Sequence, residues 1–305
     1  MNKFLSQIGP EQGVFALFLV FLVLMWVNRT QSIPLLGVVN RWIRWVFFSV
    51  AVGVLVVDRA WTDRPIWVVS TVVFLSWFLI ETLYYWLYTR AISFSEVPLI
   101  PMYRIADREE WPVDARLIAL KNWLRTEGFK QAAFLKAELA PELFIRDAVY
   151  ENEAKTIRVQ VMFLPIRTPR VQPFFIVSSL AEDGRRLITQ NIPMSFGGTY
   201  PENWNVVRKP LVRSVEKLLN VHADYMKTLE IEPIEFEDSP IDEINGQQQL
   251  LERTNTKSGF ILAREYHEEY GMLSSDARYK LWKEIWLISY FGHAASHGQR
   301  IAKAD

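Results

Sequence analysis

The stretch that most constrains this chain is Leu35–Tyr88. It holds two long apolar runs joined by a short charged turn, Asp58-Arg59-Ala60-Trp61-Thr62-Asp63-Arg64. Apolar runs of this kind cross bilayers, where an α-helix needs about 20 residues to span the hydrocarbon. An earlier run, Val14–Val27, carries no charge and is expected to make a third span once Gln12, Gly13 and Asn28 are added to its short apolar centre; the alternative is a half-inserted helix, which leaves two spans. The residues after it, Asn28-Arg29-Thr30-Gln31, lack the small-x-small pattern of a signal-peptide cleavage site, so it reads as an uncleaved anchor. The expected spans are about 13–29, 35–57 and 65–88, within a transmembrane anchor over residues 1–90.

Charges inside these runs set their depth. Arg41 and Arg44, with Trp42 and Trp45 between and beside them, form a turn that belongs at the membrane interface, where arginine snorkels and tryptophan anchors. Trp67 and Trp86 bracket the last span in the same way. Those six residues are the expected membrane anchors, and Arg41 and Arg44 have a second reading as a site for anionic lipid or a partner. Glu81 follows about fifteen apolar residues from Ile66, roughly 22 Å at 1.5 Å each, which places it near the far interface or facing a neighbouring helix. Basic residues near the span ends divide unequally. Arg29, Arg41, Arg44, Arg90, Arg104 and Arg108 fall on one side; Lys3, Arg59 and Arg64 fall on the other. The positive-inside rule then puts the C-terminal part in the cytoplasm, in an inner or plasma membrane.

Downstream, the pattern changes to that of an α+β fold. After a connector with Pro98 and Pro101, Pro112 and Asp114 start a helix that Gly128 ends. Strand-length runs follow at Ala132–Leu139, Leu143–Tyr150, Thr156–Leu164, Pro173–Leu180 and Arg186–Ile192. Asp183-Gly184 predicts a tight hairpin with a primed turn. Short connections predict an antiparallel meander of four or five strands. A loop at Phe196–Trp204 then opens a helix from about Val206 to Leu229. The expected cytoplasmic domain, 91–230, is therefore helix, meander, helix. Glu230–Glu243 carries seven acids and no base, which reads as an acidic linker, taken as 231–246. Helices are expected at Gln247–Thr256, Phe260–Tyr270 and Ala277–Phe291, in a C-terminal helical extension over 247–305. In the last of them Leu281, Ile285 and Ile288 oppose Lys280, Lys283 and Glu284.

Composition excludes several chemistries. The chain has no cysteine, which rules out disulfides and thiolate catalysis. Its formal charge balances to zero, which argues against a nucleic-acid partner. No cofactor motif is present. His293 and His297 have the i, i+4 spacing of a zinc helix, but Ala294 stands where the companion glutamate belongs, so they are weak metal candidates. His222 lies on an apolar helical face and reads as a hydrogen-bonded core residue. Ser178, Ser179 and Ser195 have no G-x-S-x-G elbow around them. Gly197 and Gly198 can present backbone N–H groups to an anion, with Arg208 nearby as a base. Trp282 and Trp286, one turn apart, form an aromatic surface that suits the fold's own packing or a partner.

The expectation is a membrane-anchored, non-catalytic subunit or scaffold that presents a cytoplasmic interaction domain. Its partners are the lipid bilayer and a protein in a membrane complex. The alternative is a membrane-bound enzyme or ligand-binding protein that acts on a lipid or small molecule at the 196–204 loop.

Overall fold

The structure, a computed structural model, describes residues 9–31, 33–165, 171–192 and 198–295. It divides into two compact units, residues 1–88 with 289–292 and residues 89–288 with 293–305.

Three helices make most of the first unit: α1 (Pro10–Gln31), α2 (Pro34–Asp58) and α3 (Ile66–Ser93), whose last turn belongs to the second unit. All three are long and apolar enough to cross a membrane. The apolar run at Val14–Val27 extends at both ends into a helix of 22 residues, about 33 Å long, which exceeds a hydrocarbon core of about 30 Å. Pro34 sits at the first turn of α2, where its missing N–H costs nothing and its fixed φ suits a helix. Phe18 and Phe21 of α1 pack on Phe47 of α2, with ring centroids 5.5 and 6.2 Å apart. Farther along, Gly53 of α2 lets α3 approach closely. A Cβ at that position would lie 3.2 Å from the Ser70 backbone nitrogen and 3.3 Å from the Ile66 carbonyl. The outward faces carry exposed Phe15, Val23, Trp26, Leu55, Val72, Leu75 and Leu79.

The second unit is built on a seven-stranded sheet in the order of the chain. The strands are β1 (Tyr103–Ile105), β2 (Lys130–Ala140), β3 (Leu143–Glu151), β4 (Arg158–Phe163), β5 (Pro173–Leu180), β6 (Arg186–Gln190) and β7 (Trp204–Arg208). Neighbours from β1 to β6 are antiparallel. Helix α4 (Ala115–Thr126) and helix α5 (Val215–Thr228) cover one face. There Leu117, Leu124, Val215 and Leu218 bury Phe134, Tyr150, Val159, Val161, Phe175 and Val177. Asp114 caps α4 by accepting from the Arg116 N–H at 2.9 Å, and Gly128 leaves it at φ +82°. Ser214 caps α5. The opposite face packs on α6 (Pro240–Lys257), with Ile244 set among Leu135, Ala137, Ile145, Val149, Met162 and Phe174.

Five expectations change. The sheet has seven strands and not four or five, because Tyr103–Ile105 in the expected connector pairs with β2 and Trp204–Arg208 pairs with β6. The helix foreseen from Val206 starts only at Val215, because Trp204–Arg208 forms β7 and Pro210 precedes the cap. β7 pairs with β6 in parallel, not antiparallel; the 191–203 connection is long enough for the crossover that parallel pairing requires. The hairpin at Asp183-Gly184 is not of primed type. Only Gly184 has positive φ (+79°), and its N–H donates to the Ala181 carbonyl at 2.9 Å, an ordinary turn followed by a glycine bulge. The stretch Phe260–Tyr270 is helical only from Arg264. Phe260 lies in a bend and Ile261 is bridged to Leu273, ahead of a 3₁₀ turn (Arg264–Tyr266) and the short α7 (His267–Tyr270).

The acidic stretch does not trail in solvent. Ile231 and Phe236 are buried, the Ile234 N–H donates to Leu180 and that of Phe236 to Lys155. α6 then begins at Pro240, behind a Ser239 cap. The last helix, α8 (Ser275–Phe291), completes the described chain.

Candidate functional site

In the first unit the polar side chains gather at one level. Glu81 of α3 faces α2, where it accepts from Trp45 Nε1 at 2.6 Å and pairs with Arg44 Nη2 at 3.5 Å. One turn away, Arg41 donates to the Tyr85 hydroxyl, and its guanidinium lies 5.0 Å from the Tyr290 ring centre. Trp42 Nε1 donates to the Tyr290 carbonyl at 2.8 Å. Antiparallel helices whose axes meet at Gly53 and Ser70 bring 41 opposite 85 and 45 opposite 81, so the local spacing of four residues builds the cluster. Trp45 is fully buried among Trp42, Phe74, Phe78 and Tyr290. Trp67 is 71 % exposed and Trp86 39 % exposed.

In the second unit the charged side chains on the α6 face close on one another. Arg158, buried, donates to Glu151 Oε1 through Nε at 2.8 Å and to Glu243 Oε2 through Nη1 at 2.8 Å, and its guanidinium lies 4.3 Å from the Phe236 ring centre. Arg186 pairs with the other Glu243 oxygen. Arg208, the base foreseen beside the glycine loop, is buried and ion-paired to Glu284 of α8; burial pushes its pKa down to about 10. It therefore holds the last helix to the sheet and is not offered to a ligand. Glu284, foreseen on a solvated face, is 1 % exposed.

Gly197 lies outside the described residues. Gly198 is buried, and Thr199 is held by Asn255, which accepts from the Thr199 N–H at 2.7 Å and donates to its carbonyl at 2.9 Å. The Thr199 N–H is thus already spent on α6. Trp282 and Trp286 are half-buried, and Tyr279 stacks on Trp282 with centroids 5.8 Å apart. His293 follows the end of α8 on the surface, its Nδ1 3.1 Å from the Ala294 carbonyl, and His297 lies outside the described residues. Among the described residues no group of three or more metal-ligating side chains forms.

His222 and Asp147 are further buried titratable groups. His222 of α5 is fully buried, with Nδ1 2.9 Å from Thr189 Oγ1 and Nε2 3.1 Å from Ser179 Oγ. Ser179 spends its proton on the Thr156 carbonyl at 3.0 Å. Its lone pairs then accept from Nε2–H, and Nδ1 accepts from Thr189. Burial lowers the His222 pKa to about 3, so the ring is a neutral core group. Asp147, in the middle of β3, is more unusual. It is fully buried, and neither carboxylate oxygen has a hydrogen-bond partner among the described residues. Burial raises its pKa to about 7, and its charge adds to the burial that raises the pKa of Tyr103. Sequence reasoning passed over Asp147, although its signal was present: Ile145, Asp147 and Val149 share one strand face, an acid in an apolar row.

No protein-family model, no curated protein and no solved structure matches the chain.

Proposed function

We propose that this chain is a membrane-anchored, non-catalytic subunit whose α+β unit stands in the cytoplasm and holds a protein partner. The observation that carries the reading is the seam at Ser93. Helix α3, apolar along most of its length, ends inside the folded unit. The Met272 N–H donates to the Ser93 carbonyl at 2.6 Å and the Leu273 N–H to Ser93 Oγ at 3.0 Å. A Cβ on Gly271 would lie 2.8 Å from that carbonyl, so only glycine fits there. Ile92 and Leu99 join the cluster of Phe260, Leu273, Ala277 and Leu281. The last turn of that helix, from Thr89, thus belongs to the folded unit. The buried ionisable pairs described above support the same reading, because they invest charge in cohesion. Exposed Tyr266, Tyr270 and Tyr279 supply aromatic surface for a partner.

Native mass spectrometry of the full chain, extracted in mild detergent, tests the proposal. A second polypeptide in fixed proportion, lost when Tyr270 and Tyr279 are both changed to alanine, is the expected result. A bare monomer or homo-oligomer sinks it. Sidedness is read on the same protein, since a chain without cysteine accepts single labels cleanly. An impermeant maleimide added to intact cells should label Thr62→Cys and spare Glu182→Cys; the reverse pattern overturns the orientation.

A further inference from the structure

The Arg41–Arg44–Glu81 cluster does not balance. It holds two guanidinium cations and one carboxylate, while Trp45, Tyr85 and Tyr290 contribute uncharged donors and ring faces. The next acid along α2 is Asp58, fourteen residues beyond Arg44 and so about 21 Å away. Glu81 lies fifteen residues, about 22 Å, beyond Ile66 at the start of α3. With the 58–64 turn at one boundary of a hydrocarbon core of about 30 Å, Arg44 and Glu81 both sit about 8–9 Å inside the other boundary. A net positive charge at that depth is costly unless an anion comes to it or the arginine snorkels to one. Arg44 is suited to do so. Its side chain is 47 % exposed, against 12 % for Glu81, so the guanidinium is only partly enclosed by the ion pair. Arg41 lies one turn nearer the boundary and is held in place by Tyr85 and the Tyr290 ring.

We infer that Arg41 and Arg44 together bind the phosphate of one anionic phospholipid, drawn to the level of Glu81 as the third charge of the cluster. The inference rests on the membrane-spanning reading given under the proposed function. Guanidinium groups suit it, since their forked N–H donors match phosphate oxygens. Glu81 has a defined part: it cancels one cation, so that one anionic headgroup and not two completes the site.

The test reconstitutes the full chain in vesicles of equal phosphatidylglycerol and phosphatidylcholine, extracts it gently, and weighs the lipid retained per chain by native mass spectrometry. Wild type should hold one phosphatidylglycerol in preference to phosphatidylcholine. Arg41→Gln and Arg44→Gln should each lower that preference about five-fold, the effect of one basic residue at an anionic surface. Arg59→Gln, in the turn at the other end, should leave it unchanged. Glu81→Gln should raise it, a direction that misfolding does not produce. Equal retention in wild type and both arginine variants overturns the site, as does an equal loss in Arg59→Gln. Displacement of the lipid by millimolar inorganic phosphate assigns the site to the free anion and overturns the lipid. Release of the protein from the vesicles by alkaline carbonate is the separate result that removes the membrane reading itself.

Discussion

Asp147 and His222 are buried on opposite faces of one sheet, and their titrations oppose each other. The Asp147 carboxyl keeps its proton up to about pH 7 in the folded chain and loses it near 3.8 when unfolded. Stability therefore falls as pH rises through that window, by about 4 kcal/mol in all. The His222 imidazole is protonated near 6.5 when unfolded but only near 3 when folded. Stability therefore falls as pH drops through that window, by about 5 kcal/mol. Between about pH 4 and 6.5 the two slopes nearly cancel. Asp147→Asn should uncover the histidine, giving stability that climbs with pH over that range, and His222→Gln should uncover the acid, giving the opposite slope. Denaturant midpoints of the detergent-solubilised protein at several pH values decide it; parallel pH profiles for both variants and wild type would refute the account. At this scale the sequence is only partly legible. The apolar row around His222 marks it as a core residue. The solvated reading of Glu284 fails because its partner Arg208 stands 76 residues earlier, and no local spacing announces a pairing at that distance.

Elements carry their own tests. Helices α2 and α3 meet at Gly53, so Gly53→Leu should loosen the helical unit by about 1–3 kcal/mol. Gly13→Leu, where nothing lies within 4 Å of an added Cβ, should not. Resistance of the helical unit to SDS measures both. Helix α6 is fastened to the sheet through Glu243, which serves Arg158 and Arg186 at once. Removing one member of a buried pair strands its partner, so Glu243→Ala should cost about 3–5 kcal/mol in urea unfolding. Glu252→Ala, on the exposed side of α6, should stay within about 0.5 kcal/mol. Local signals predict elements well where they act alone. Pro173–Leu180 is a strand with the limits expected of it, and α4 runs between the expected cap and glycine. They fail at β7, whose five residues become a strand only by docking beside β6, a contact set by the fold and not by the segment.

For the whole chain, alternation and hydropathy are enough to separate three apolar helices from an α+β unit, because bilayer and water impose different patterns on every residue. The sheet's dependence on distant segments is a different matter. Glu243 is a counter-ion of Arg158, beside Glu151, and of Arg186, and Glu284 is the counter-ion of Arg208. A chain ending after Glu230 should therefore keep helices α1–α3 yet lose the protease resistance of strands β2–β7; a truncated chain whose sheet still resists protease would contradict the role given to these pairs.

The long reach of those ion pairs also sets a clock on synthesis. From Arg158 to Glu243 the ribosome adds 85 residues and from Arg208 to Glu284 it adds 76, which takes about 4–17 s at 5–20 residues per second. In each interval the nascent sheet holds an arginine with a counter-ion still to come, so its final closure waits for the last helix to emerge. The three apolar helices are made well before the sheet unit has finished folding, and the fold's completion reports that translation has run through α8.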